Sequence, residues 1–137
     1  MFLSKLTQSK RERTLLAVRA ATWLVIASVA VARFPFLAAI RLGCIPLGHG
    51  PSLSLENAVW AIEAAARRIP LRTKCIEKGI ALQHLLRASG FNAILHYGAR
   101  LNTQTGKLEA HVWVTVNDHS IIGGAEAMGF ARIASFP

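Results

Sequence analysis

The chain contains only two cysteines, Cys44 and Cys75. Two cannot build a disulfide framework, and neither sits in a CxxC pair or in the Cys/His spacing of a zinc site. None of the five histidines (His49, His84, His96, His111, His119) belongs to an HExxH motif. The sequence therefore predicts no metal and no cofactor, and free thiols suit a reducing, cytoplasmic compartment. Acidic residues are scarce, 7 against 16 basic ones, for a net charge of +9. Such an excess attracts acidic peptides, anionic membrane surfaces or nucleic acid. The basic residues are spread along the chain, few aromatics lie among them and no nucleic-acid motif is present, so nucleic acid is not an expected partner. Internal repeats and low-complexity tracts are lacking. So is an uninterrupted charge-free span in the apolar run from Thr14. Its longest such piece, Ala20 to Ala32, is bracketed by Arg19 and Arg33 and falls short of the roughly 18 residues that read as a spanning helix.

What remains is a chain rich enough in apolar residues to fold. It is 53% hydrophobic and 17% charged, which excludes disorder. Its length suits one domain with a helical appendage. Residues 1–50 form an N-terminal helical segment, for docking or membrane association, and residues 51–137 form the core. Three readings compete for the apolar run: a secretory signal peptide ending near Ala30-Val31-Ala32, a membrane-associated helix, and a helix packed on the rest of the protein. The last is expected, because a run this short is more often a core helix. Pro35, Gly43, Pro46, Gly48, Gly50 and Pro51 then break up a connector with at most a short helix from Phe36 to Leu42.

Two regular helices follow. Leu55, Val59, Ile62, Ala66 and Ile69 recur at helical spacing after Ser54, until Pro70 stops the run. The second helix starts with Thr73 as its N-cap, carries Ile76, Ile80, Leu82, Leu85 and Leu86, and stops at Gly90. The period then changes to two. Ala93–Leu101, Ala110–Val116 and Ser120–Ile122 read as antiparallel strands, with turns at 102–107 and 117–119. Residues 126–136 carry weak signals, with a short helix as the expectation. The fold class is α+β, with helices on one face of a small antiparallel sheet and apolar helices at the N-terminus.

Two residues in this frame carry chemistry. Cys75 falls in the first turn of its helix, where the dipole, the unpaired N–H groups and the neighbouring Lys74 and Lys78 favour a thiolate. The same N–H groups can hold an oxyanion. His111 opens the second strand. If the helix packs across the face that carries His111, Trp113 and Thr115, thiol and imidazole meet as nucleophile and general base. A third group should orient the imidazole. Asp118 stands in the turn, roughly 20 Å from His111 at strand spacing, and reads as a turn former. Glu126, just past the hairpin, is the preferred third member, with Gln83, a backbone carbonyl or no third group at all, a Cys–His dyad, as alternatives. Trp113 and Gln83 are the candidates for substrate contact.

A Cys at a helix start and a His at a strand start suggest a papain-like or transglutaminase-like thiol site. More specifically, the ordered set Arg72-x-x-Cys75, Leu82/Leu85/Leu86–Gly90, Tyr97-Gly98-Ala99-Arg100, Ala110-His111-Val112-Trp113-Val114 and Ile122-Gly123-Gly124 resembles the stand-alone leader peptidase of lasso peptide biosynthesis, the transglutaminase-like B protein. The resemblance runs along most of the chain, from the apolar N-terminal helix to Phe136-Pro137. It implies a cysteine peptidase that removes the leader from a ribosomally made precursor peptide, with Cys75 as nucleophile and His111 as acid and base. It also implies a separate leader-recognition protein as partner and an ATP-dependent lasso cyclase acting next. Many relatives carry Asp where Gly123 stands here, so the third role departs from the pattern. Two other outcomes stay open: acyl transfer to an amine, and a non-catalytic peptide-binding or membrane-associated scaffold.

Overall fold

The computed structural model describes residues 2–44, 53–69, 75–122, 124 and 129–137, with side chains described from residue 10 onward. The chain opens with one long helix, α1 (Phe2–Arg33). A short helix, α2 (Phe36–Ile40), and a 3-10 turn (Arg41–Cys44) follow. Next come α3 (Leu55–Arg68) and α4 (Cys75–Ala88). The strands are β1 (Ala93–Leu101), β2 (Leu108–Val116), β3 (His119–Ile122) and β4 (Ala131–Phe136).

The helix ends have local causes. The Ser54 hydroxyl accepts the N–H of Asn57 at 3.1 Å and caps α3. At the other end Ile69, which precedes Pro70, takes an extended conformation. Helix α4 closes through Gly90 at φ 92°, while the N–H of Phe91 reaches back to the carbonyl of Leu86 at 3.0 Å. The expected N-cap of α4, Thr73, lies outside the described residues.

The sheet has four strands in the order β3-β2-β1-β4, each paired antiparallel with its neighbour. Asn117 and Asp118, at φ 51° and 65°, make the two-residue turn between β2 and β3. Asp118 is thus the turn former that its position suggests. Strand β4 replaces the short helix expected near the C-terminus. Its first three residues are exposed and it lies at the sheet edge, so local patterning says little about it. It is held instead by a distant partner, β1, through the pairs Leu95–Phe136 and His96–Ser135.

Among the described residues, α1, α3 and α4 pack on one face of this sheet. Ala20 and Leu24 of α1, Ala58, Ala61 and Ile62 of α3, and Leu82, Leu85 and Leu86 of α4 share a core with Val114 and Val116. A second cluster joins Ala27, Ile40, Ile80, Leu95, Val112 and Phe136. The segment before residue 51 and the strands after it meet in these clusters. Alanine dominates the α1–α3 contact, so the two backbones can approach closely and the dispersion contacts stay dense. Helix α1 starts well before the apolar run. Its stretch Lys10–Arg33 is long and apolar enough to cross a membrane by length and composition, with 22% of the apolar window buried in the fold.

Candidate active site

Cys75 is the first residue of α4 and is half-buried. Its N–H is one of the four that a helix start leaves without an intrahelical acceptor. The sequence around it explains its height above the sheet. Gly79 lies one turn further along α4, and a Cβ there would fall 2.7 Å from Cγ1 of Val112. The C-terminal half of α4 packs on Val114 and Val116, so α4 and β2 run in the same direction. Cys75 consequently sits one turn from Gly79 toward the Leu108 end of β2, packed against the cluster that holds Val112 and Leu95.

The face is the opposite of the one expected. Helix α4 covers the Val112, Val114 and Val116 side, because three valines and Leu95 present the larger dry surface. Strand alternation then puts the Cβ of His111 on the other side of the sheet. Its ring is buried there, 6.1 Å from the ring of Trp113 and 5.2 Å from that of Phe130. Trp113 in turn stacks on His96 at 5.5 Å. It also lies over Gly98, whose missing Cβ would be 2.9 Å from the indole ring. The structure thus brings Cys75 and Val112 into one packed cluster. His111 is the fourth of the nine residues of β2, so it does not open the strand as expected; it lies one residue before Val112, among aromatic rings on the outer face.

The other predicted residues separate in the same way. Trp113 is 9% exposed; with both ring neighbours in place it offers little surface to a substrate and acts as packing. Gln83 is fully buried, and its amide nitrogen donates to the carbonyls of Ala93 (3.2 Å) and Phe136 (2.6 Å). Its amide oxygen faces the Cys44 thiol at 3.8 Å. It is a structural clamp that ties β1, β4 and the 3-10 turn to α4, with each of its polar atoms engaged inside the fold. Glu126 lies outside the described residues. Lys78, expected to lend positive potential to the thiol, has its ammonium on Glu63 of α3 at 3.3 Å. Among the described residues no group of three or more His, Cys, Asp or Glu side chains gathers to hold a metal.

One polar group near the site was not singled out from the sequence. His96 bridges the hydroxyls of Ser135 (2.8 Å) and Thr115 (2.7 Å) beside Trp113. Burial first, then the Arg132 charge, lowers its pKa, against an opposing pull from Asp118. The register of the β1–β2 hairpin, which pairs His96 with Trp113, was the signal that could have found it. Strand β3 ends at Ile122, the end expected from the sequence, and Ile122 pairs with Val114, short of the level of His111.

Comparison with known proteins adds a family. The family model described as Transglutaminase-like superfamily matches residues 21–135. No curated protein and no solved structure matches the chain.

Proposed function

The chain belongs to the transglutaminase-like superfamily, and on that premise we propose that it is a cysteine peptidase that removes the leader from a ribosomally made lasso precursor peptide. The observation that carries the reading is the placement of Cys75 at the first turn of α4, one turn from Gly79 on the Leu108 side of Val112, alongside the stretch of β2 that holds His111. In this reading the Cys75 thiolate attacks the scissile carbonyl, and N–H groups of the helix start hold the oxyanion. His111 delivers its proton to the leaving amine, and the acyl-thioester forms as the peptide bond breaks. The imidazole then takes a proton from water, whose oxygen displaces the thiolate and releases the leader as a carboxylate. Glu126 is the proposed orienter of His111. A separate leader-recognition protein presents the substrate, and an ATP-dependent cyclase consumes the freed core peptide. The ordered motifs from Arg72 to Gly124 support this substrate class.

Catalysis requires thiol and imidazole to come within about 2.6–3.2 Å, a contact that often tightens only with substrate. A non-catalytic peptide-binding scaffold is the second reading, favoured by the position of His111 on the face opposite α4. The two are separated by incubating the full chain with precursor peptide and its leader-binding partner and reading masses. Leader and core masses with wild type, and intact precursor with Cys75→Ala, support the peptidase. Precursor left intact by folded wild type, with peptide still bound, establishes the scaffold. A mass showing amine incorporation in place of water assigns acyl transfer.

A further inference from the structure

Helix α1 has two apolar sides, and the fold uses only one of them. Ala20, Leu24, Ala27 and Ala30 are buried against the other helices and the sheet. At 100° per residue the opposite side carries Leu15, Val18, Val25, Ile26 and Val29 in a single stripe. These are 67%, 57%, 41%, 39% and 53% exposed. The stripe ends in an exposed arginine on each side, Arg11 and Arg33, and continues into exposed Phe36 and Leu37 of α2. Contiguous exposed aliphatic surface of this kind marks an interaction site.

Charge says what covers it. Val18 of the stripe also borders a cleft of about 390 Å³ between α1 and α3, which contains Lys10, Arg13 and Arg68, with Trp60, Ala17 and Ala21 as its apolar lining; Arg13 is on the side of α1 that faces α3. Arg13 lies 4.9 Å over the Trp60 ring. The ion pairs formed among the described residues, Lys78–Glu63 and Arg100–Glu109, leave these three cations without a carboxylate. An aliphatic stripe with arginines at both ends and a cationic cleft beside Val18 matches an acyl layer below a plane of phosphates.

We propose that α1 seats this protein in the plane of an anionic phospholipid surface, with the Leu15–Val29 stripe in the acyl boundary and the Lys10, Arg13 and Arg68 cleft on lipid phosphates. The helix lies on the bilayer and does not cross it. Crossing would strip Ala20, Leu24 and Ala27 from the core they share with α3, α4 and the sheet. The attachment needs no thiol chemistry, so it stands or falls independently of the peptidase reading.

The test is flotation of the full chain with phosphatidylcholine vesicles and with phosphatidylglycerol-rich vesicles. Wild type and Cys75→Ala should float only with the second, and raised salt should release them. Val25→Asp/Val29→Asp should stay in the pellet fraction with an unchanged melting curve, since both positions are exposed. Leu15→Gln/Val18→Gln serves the same purpose should the first pair alter the melt. Lys10→Gln, Arg13→Gln and Arg68→Gln should each weaken binding about five-fold. Equal flotation on both vesicles, resistance to salt, or flotation of the stripe variants would overturn the proposal. So would absence of flotation, and a dimer that the Asp variants dissociate would then assign the stripe to a second copy of the chain.

Discussion

Gly79 of α4 and Val112 of β2 meet with no room between them: a Cβ on Gly79 would lie 2.7 Å from Val112 Cγ1 and 3.5 Å from Leu95 Cδ1. This contact sets how low α4 rides on the sheet, and Cys75 is one helical turn away on the same side. Gly79→Ala gains up to about 1 kcal/mol of helix propensity and costs about 1–3 kcal/mol of overpacking against a β-branched neighbour. The expected result is a net loss in urea denaturation at unchanged m-value. A stabilised variant would show that Val112 gives way freely.

Gln83→Ala should be a stability variant and not a substrate variant. It removes the amide donor from the buried carbonyl of Phe136, whereas the carbonyl of Ala93 keeps Arg87 Nη1 at 3.2 Å, so the cost is about 1–3 kcal/mol for the one group left unsatisfied. The midpoint of unfolding should fall, while KM for precursor at a temperature where the variant is folded stays put. A raised KM at wild-type stability would restore Gln83 to the substrate.

His84 predicts an acid-labile helix contact. It is buried on Trp23, with ring centroids 3.5 Å apart. Burial, aided by the Arg19 charge, lowers its pKa from 6.5 to about 4. The unfolded chain therefore binds a proton that the folded one refuses between those values. The neutral ring's contribution is complete above pH 6.5, is lost as pH falls toward 4, and levels off below. Melting curves at pH 7.5 and 4.5 should separate more for wild type than for His84→Phe, which keeps the ring stack and lacks the titration.

The thiols should differ in reactivity. Both are half-buried, but the Cys44 thiol is held 3.8 Å from the Gln83 amide oxygen, whereas Cys75 is the first residue of α4. Iodoacetamide should modify wild type and Cys44→Ser alike, and Cys75→Ala much more slowly. His111→Ala should lower the cleavage rate by about 10²–10⁴ without unfolding the chain. Unchanged cleavage would remove His111 from the chemistry.

The hairpin turn provides the last separation. Asp118 holds φ 65°, which glycine adopts at no steric cost, so Asp118→Gly should shift stability by no more than about 1 kcal/mol and leave cleavage unchanged. Glu126→Gln should slow cleavage at constant stability. The reverse pattern would move the orienting group to the turn.

Much of this was legible locally. The Ser54 cap, the Gly90 stop and the Asn117-Asp118 turn are fixed by neighbouring residues, so α3, the end of α4 and the β2–β3 turn can be read from single stretches. Strand β4 could not be, because its exposed first half has no pattern of its own and its order comes from β1. Gln83 looked like a site residue because it is polar and shares a helix with Cys75; only its three distant partners show it to be a clamp.

The sequence by itself determined α3, α4 with Cys75 in its first turn, the first three strands and the alternation that opposes His111 to Val112, because caps, glycines and periodicity act within a few residues. Which side of the sheet α4 would cover, and therefore which of those two neighbours would face the thiol, was decided only by tertiary structure. That choice depends on the summed dry contact of Val112, Val114, Val116 and Leu95 with α4, and on the gap that Gly79 leaves for them. Burial of this kind is a property of two surfaces brought together, and neither strand nor helix encodes it alone.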